Sequence, residues 1–122
     1  MEKRKILVVE GHIEIREALE QTFQQAGFTV LAAENTAVAF DLLSSFDPDL
    51  VLTDLLLPLL AGENFIKALR RVPKLTDIPI VVLTEYSDAF SKNAKAAGAT
   101  EVLRKPRDLP LVIRTVKALL GE

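Results

Sequence analysis

Short hydrophobic runs in this chain end on polar residues whose chemistry is complementary. Ile6-Leu7-Val8-Val9 stops at Glu10-Gly11-His12, and Leu50-Val51-Leu52-Thr53 stops at Asp54. Ile80-Val81-Val82-Leu83 ends in Thr84-Glu85, and Glu101-Val102-Leu103 runs into Arg104-Lys105-Pro106. If these runs are strands of one parallel sheet, a carboxylate, a hydroxyl and an ammonium group converge on the rim at their carboxyl ends. That set suits an acyl-phosphate site. A carboxylate serves as nucleophile, a cation holds the phosphoryl group, a hydroxyl contacts it, and a divalent metal usually offsets the accumulated negative charge. His12, the only histidine, invites a phosphohistidine or metal reading. It follows a glycine at a helix entrance with no second histidine nearby, so an exposed or capping role suits it better.

The elements that must position these residues follow from periodicity. β-branched apolar runs alternate with longer stretches of helical period, the pattern of a βαβ series with a parallel sheet. Strands are expected at Lys5–Val9, Phe28–Ala33, Leu50–Thr53, Ile80–Thr84 and Glu101–Leu103. The first, third and fourth are nearly unbroken Val, Ile and Leu, as strands covered on both faces require, and the second and fifth look like edges.

Ile15, Ala18, Leu19, Thr22, Phe23 and Ala26 recur at helical spacing before a stop at Gly27. Val38, Ala39, Leu42, Leu43 and Phe46 repeat the pattern after the competent caps Asn35 and Thr36. A third helix is expected over Glu63–Val72, ended by Pro73, and a fourth, with a thin apolar stripe, over Ser87–Ala97. The last opens at Asp108 with Pro110 in its first turn and places Leu109, Val112, Ile113, Val116, Leu119 and Leu120 on one stripe. Right-handed crossovers then give a doubly wound α/β fold, a flavodoxin-like (βα)5 three-layer sandwich whose five parallel strands run in the order 2-1-3-4-5.

Composition narrows the functional classes. At 122 residues, with 49% hydrophobic and 26% charged residues, a single domain over 1–122 is expected. Cysteine is absent, which excludes disulfide frameworks, thiolate metal sites and cysteine nucleophiles and makes the cytoplasm the default location. The net charge of −2 supplies no basic excess for a phosphate backbone, so direct nucleic-acid binding is not expected. The apolar run after the basic N-terminus is far too short for a signal segment or a membrane span. A flavin or dinucleotide enzyme on the same fold would need a phosphate-cradling glycine-rich loop after the first strand, which this sequence lacks.

The chain resembles the receiver domain of two-component response regulators. The resemblance is carried by Ile6-Leu7-Val8-Val9-Glu10, by Pro48-Asp49-Leu50-Val51-Leu52-Thr53-Asp54 with Pro58 and Gly62 after it, by Ile78-Pro79-Ile80-Val81-Val82-Leu83-Thr84, by Ala97-Gly98-Ala99 and by Lys105-Pro106. It implies that Asp54 accepts a phosphoryl group from a histidine kinase or phosphotransfer protein. Lys105 would pair with the phosphoryl oxygens, and Thr84 would bond to them and draw its loop inward. It also implies Mg²⁺ held by an acidic pair at the end of the first strand, by Asp54 and by the backbone carbonyl of Leu56. Glu10 matches the first acid, whereas Gly11 stands where the second, direct ligand normally sits and has no side chain to coordinate anything.

Further departures surround the site. Glu85 follows Thr84 where the family favours a small residue, Leu55-Leu56-Leu57 makes the loop after Asp54 apolar, Val102 replaces an aromatic residue, and Ala61 replaces an acid before Gly62. The Leu55–Leu60 run reads first as core and loop packing and secondly as a partner surface. The resulting expectation is a signalling switch rather than a metabolic enzyme, acting on a downstream protein or a fused output domain. Arg104, Arg107, Arg114 and Lys117 mark the last strand and helix as either a solvated surface or a face for partners, including a homodimer. The alternative is a pseudo-receiver, a protein-interaction module that works without phosphorylation.

Overall fold

The computed structural model describes residues 3–55, 62–85 and 88–122. Five strands, β1 (Lys5–Val9), β2 (Thr29–Ala33), β3 (Leu50–Thr53), β4 (Ile80–Thr84) and β5 (Glu101–Arg104), form one parallel sheet in the order β2-β1-β3-β4-β5. Its register runs Val9 against Thr53, Thr53 against Val82 and Thr84 against Arg104, so β1, β3 and β4 are interior and buried on both faces. The expected fold class and strand order are thus observed.

Alternation along β1 divides the core. Ile6 and Val8 point to one face, where they meet Leu19 and Phe23 of α1 (Ile13–Gln25) and Val112, Val116 and Leu120 at α5 (Val112–Leu119). Leu7 and Val9 point to the other and pack with Ala39 and Leu43 of α2 (Thr36–Leu43) and Phe65 and Leu69 of α3 (Glu63–Arg70). A smaller cluster on that second side joins Leu55, Ile66, Val82 and Ala99 to Ala94 of α4 (Asp88–Ala97). Each layer therefore buries the apolar stripe that periodicity marks, the main stabilising contribution in such a sandwich.

Boundaries depart from expectation where local chemistry overrides periodicity. The Asn35 side chain accepts the Val38 N–H at 2.9 Å, making Asn35 the cap and Thr36 the first helical residue. α2 ends at Leu43 and α3 at Arg70, both short of the expected Phe46 and Val72. Pro73, which cannot donate to a helical ladder, instead opens a 3-10 turn over Pro73–Leu75. The last helix divides into a 3-10 turn at Leu109–Leu111 and α5 proper, and Leu109 is exposed rather than part of the buried stripe. Ser87 and Leu56–Leu60 lie outside the described residues; Leu55, which is described, is buried core. Among the described residues no helix is long and apolar enough to cross a membrane.

Candidate functional site at the carboxyl ends of the strands

β1 and β3 are neighbours at the point where strand order reverses, so the residues just past their ends flank one crevice. Glu10 and Asp54 occupy those positions, held by the last ladder bonds: Glu10 N donates to Ala33 O at 3.0 Å and Asp54 N to Val9 O at 3.1 Å. Lys105 follows β5, with its N–H on Thr84 O at 2.8 Å and a cis peptide to Pro106. Its ammonium reaches back over the rim. Lys105 Nζ donates to Glu10 Oε1 at 2.8 Å and to Asp54 Oδ2 at 3.0 Å. Thr84, fully buried, ends β4 between β3 and β5.

Three ionisable side chains thus share a buried site, with two carboxylates against one ammonium. Burial by itself would lower the Lys105 pKa, but the Glu10 hydrogen bond, the Asp54 charge and bond, and the Glu10 charge outweigh it and hold the group above its usual value of 10.5. Lys105 is a fixed cation at any physiological pH. The two acids differ in access: the Glu10 side chain is 4% exposed and that of Asp54 12%, so Asp54 is the one an incoming group can reach. The Leu55 N–H donates to Asp54 Oδ1 at 2.6 Å and orients that carboxylate.

Glu10 is closed on its other side too. Its Oε2 accepts the His12 N–H at 3.0 Å, which turns the short Glu10-Gly11-His12 segment into a brace for the carboxylate. His12 is the residue preceding α1 and is exposed, with no side-chain capping bond, so its main chain rather than its imidazole serves the site. Arg16, which periodicity does not single out, donates from Nη1 to Glu10 O at 2.9 Å and to Gly11 O at 3.4 Å. The available signal was its place in the first turn of the helix entered from Glu10.

Among the described residues, the side chains at the rim do not fit a resident divalent ion. Mg²⁺ takes octahedral oxygen ligands, usually including well-placed carboxylates. Gly11 offers none, both Glu10 oxygens already accept protein N–H groups, and Arg16 sets a positive charge over the Glu10 and Gly11 carbonyls. Among the described residues no group of three or more His, Cys, Asp or Glu side chains is placed to hold a metal. Leu56, whose carbonyl the resemblance assigns to the ion, lies outside the described residues, as do Leu57 and Ala61. Of the other departures, Glu85 is exposed beside Thr84 and Val102 packs half-buried against the Leu55 cluster.

The sequence model of the response regulator receiver domain matches residues 6–117. The chain belongs to this family. Among curated relatives, the receiver is 35% identical over 118 residues to the phosphate regulon transcriptional regulatory protein PhoB of Escherichia coli, covering 96% of this chain and 52% of that protein. It spans about half the length of the curated relatives it matches. Among solved structures, the Vibrio cholerae chemotaxis response regulator CheY4 superposes with a TM-score of 0.89 at 29% identity, covering 97% of this receiver and 99% of that chain. The receiver domain of the sensor histidine kinase PA1611 from Pseudomonas aeruginosa, described with magnesium coordinated in its active site cleft, shares the fold at 23% identity with a TM-score of 0.87, covering 99% and 100% of the two chains.

Proposed function

We propose that this receiver takes a phosphoryl group on Asp54 from a phosphohistidine of a kinase or phosphotransfer protein, and that the modified state changes a partner-binding surface. The observation that carries the reading is the Asp54–Lys105 pair at 3.0 Å on the crevice rim, with Asp54 the more accessible of the two carboxylates. In the transfer, an Asp54 carboxylate oxygen attacks phosphorus. The P–N bond breaks as the P–O bond forms, the imidazole leaves and takes a proton from solvent, and Asp54 becomes a mixed anhydride. Lys105, released from Asp54 Oδ2, donates to a phosphoryl oxygen while Glu10 keeps hold of it; Thr84, at the end of the intervening strand, supplies the hydroxyl.

Output runs through a partner or an attached module, since a net charge of −2 gives these residues no electrostatic grip on nucleic acid. The transcriptional role in the name of PhoB belongs to a protein of which this chain matches about half. The pseudo-receiver alternative draws no support from the comparisons, and the paired Asp54 and Lys105 oppose it. The test is intact-mass measurement after incubation with acetyl phosphate, with and without Mg²⁺, beside Asp54→Asn. Gain of one phosphoryl group by the wild type and none by the variant is expected; an unmodified wild type under both conditions would overturn the reading.

A further inference from the structure

The family's usual assignment gives the acid at the end of β1 to a metal ion, but the contacts of Glu10 lead elsewhere. Its Oε1 lies 2.8 Å from Lys105 Nζ, and both side chains are buried, at 4% and 5% exposure. Its Oε2 is fixed by the His12 N–H, so the carboxylate cannot turn away from Lys105 without losing a second bond. The Arg16 guanidinium donates to the carbonyls of Glu10 and Gly11, so the backbone oxygens of that segment are also engaged by a cation of the protein. Gly11 removes the one side chain that would have favoured the ion.

We infer that Glu10 is a positioning residue for Lys105, and that the Lys105 ammonium held between Glu10 and Asp54, rather than a resident Mg²⁺, is the cation of this receiver's pocket. Two contacts define the Lys105 ammonium, one to each acid. When Asp54 is converted to its phosphoryl form, the Glu10 contact alone keeps the ammonium on the rim, so the aim of the phosphate-binding cation depends on Glu10. A buried ammonium with one anchor removed would also lose the partner that offsets its desolvation.

The inference rests on the phosphoacceptor reading for its kinetic arm only. Two measurements on the intact chain separate them. First, amide shifts are followed during titration with Mg²⁺ alone. The wild type is expected to show no saturable shift at Glu10, Gly11 or Asp54, and Gly11→Asp to tighten apparent Mg²⁺ affinity by about ten-fold or more. Alongside, the ¹⁵Nζ signal of Lys105 at neutral pH should be resolved in the wild type, unmoved by Mg²⁺, and displaced or lost in Glu10→Gln. Saturable Mg²⁺ shifts at these residues in the wild type, or a Lys105 signal indifferent to Glu10→Gln, would overturn the assignment even if Asp54 is never phosphorylated.

Secondly, phosphorylation by acetyl phosphate is measured against Mg²⁺ concentration. Glu10→Gln should lower the rate by about ten-fold at every Mg²⁺ concentration, less than the loss of a group that itself contacts the reacting atoms. A wild-type rate that saturates with Mg²⁺, with a raised half-saturating concentration and an unchanged maximal rate in Glu10→Gln, would make Glu10 a metal ligand after all.

Discussion

Lys105 carries the electrostatics of the rim. Its ammonium balances one of two buried carboxylates, leaving a formal charge of −1 from the three side chains. Removing different members should therefore have opposite effects. Lys105→Met leaves Glu10 and Asp54 facing each other without a cation and should destabilise the fold by about 3 to 5 kcal/mol at neutral pH. Asp54→Asn, in contrast, leaves one carboxylate and one ammonium and should be neutral or stabilising. Urea unfolding of both variants at pH 7 checks this; equal stability of Lys105→Met and the wild type would show that the triad contributes no net charge balance. The residue types of the triad were legible from the strand-end pattern. Arg16 was not, because an arginine in the first turn of an amphipathic helix looks like any solvated cation until its side chain is seen to cover two carbonyls.

Among the elements, α3 and the turn from α4 into β5 are tied by one side chain. Arg70 donates from Nε and Nη2 to Gly98 O at 2.9 and 2.8 Å, and from Nη1 to Leu75 O and Ile78 O at 2.8 and 2.6 Å. Gly98 has φ +125°, and a Cβ there would lie 2.8 Å from Arg70 Cγ, a mid-chain atom whose guanidinium is held by those bonds. Gly27, after α1, has φ +99° with nothing within 4 Å of its Cβ position. Gly27→Ala should cost only backbone strain, about 1 kcal/mol, and Gly98→Ala strain plus displacement of Arg70, about 2 kcal/mol or more. In an Arg70→Ala background the excess at Gly98 should vanish, a coupling that a double-mutant cycle of unfolding free energies measures directly. Equal costs at the two glycines would show that the clasp yields freely.

For the whole molecule, stability should be bounded by charge at both ends of the pH scale. Lys105 has a folded pKa above its ordinary 10.5, so its contribution is complete below pH 10.5 and is lost as pH rises through the higher folded value. Asp47, through its hydrogen bond with Lys74, and Asp108, through its bond with Arg107 and the Arg104 N–H, lie below their ordinary 3.8. Their contributions are present above that value and are lost as pH falls through the depressed folded values. Thermal melts across pH should show a plateau over the neutral range with an acid decline, and Lys74→Met should flatten that decline. An unchanged acid slope in the variant would exclude the Lys74–Asp47 pair as a contributor. Asp47 is exposed and so is Arg107, the partner of the half-buried Asp108, so added salt should weaken this dependence as well.

Burial of apolar surface is non-directional and tolerant of detail, and it can be read from spacing alone. The unbroken Val and Ile of β1, β3 and β4, the stripe through Leu19 and Phe23, and the polar residues after each strand were enough to determine a doubly wound sheet and the rim on which the site sits. Helix ends were read less well, since Asn35, Pro73 and Pro110 act through individual bonds made or withheld. Tertiary structure alone decided that Glu10 meets Lys105 across 95 positions of sequence, that Arg16 covers the carbonyl beside Gly11, and that Arg70 reaches Gly98. Hydrogen bonds and ion pairs form only within a few tenths of an ångström and a narrow range of angle. No periodicity encodes that precision, which exists only once distant segments are packed against one another.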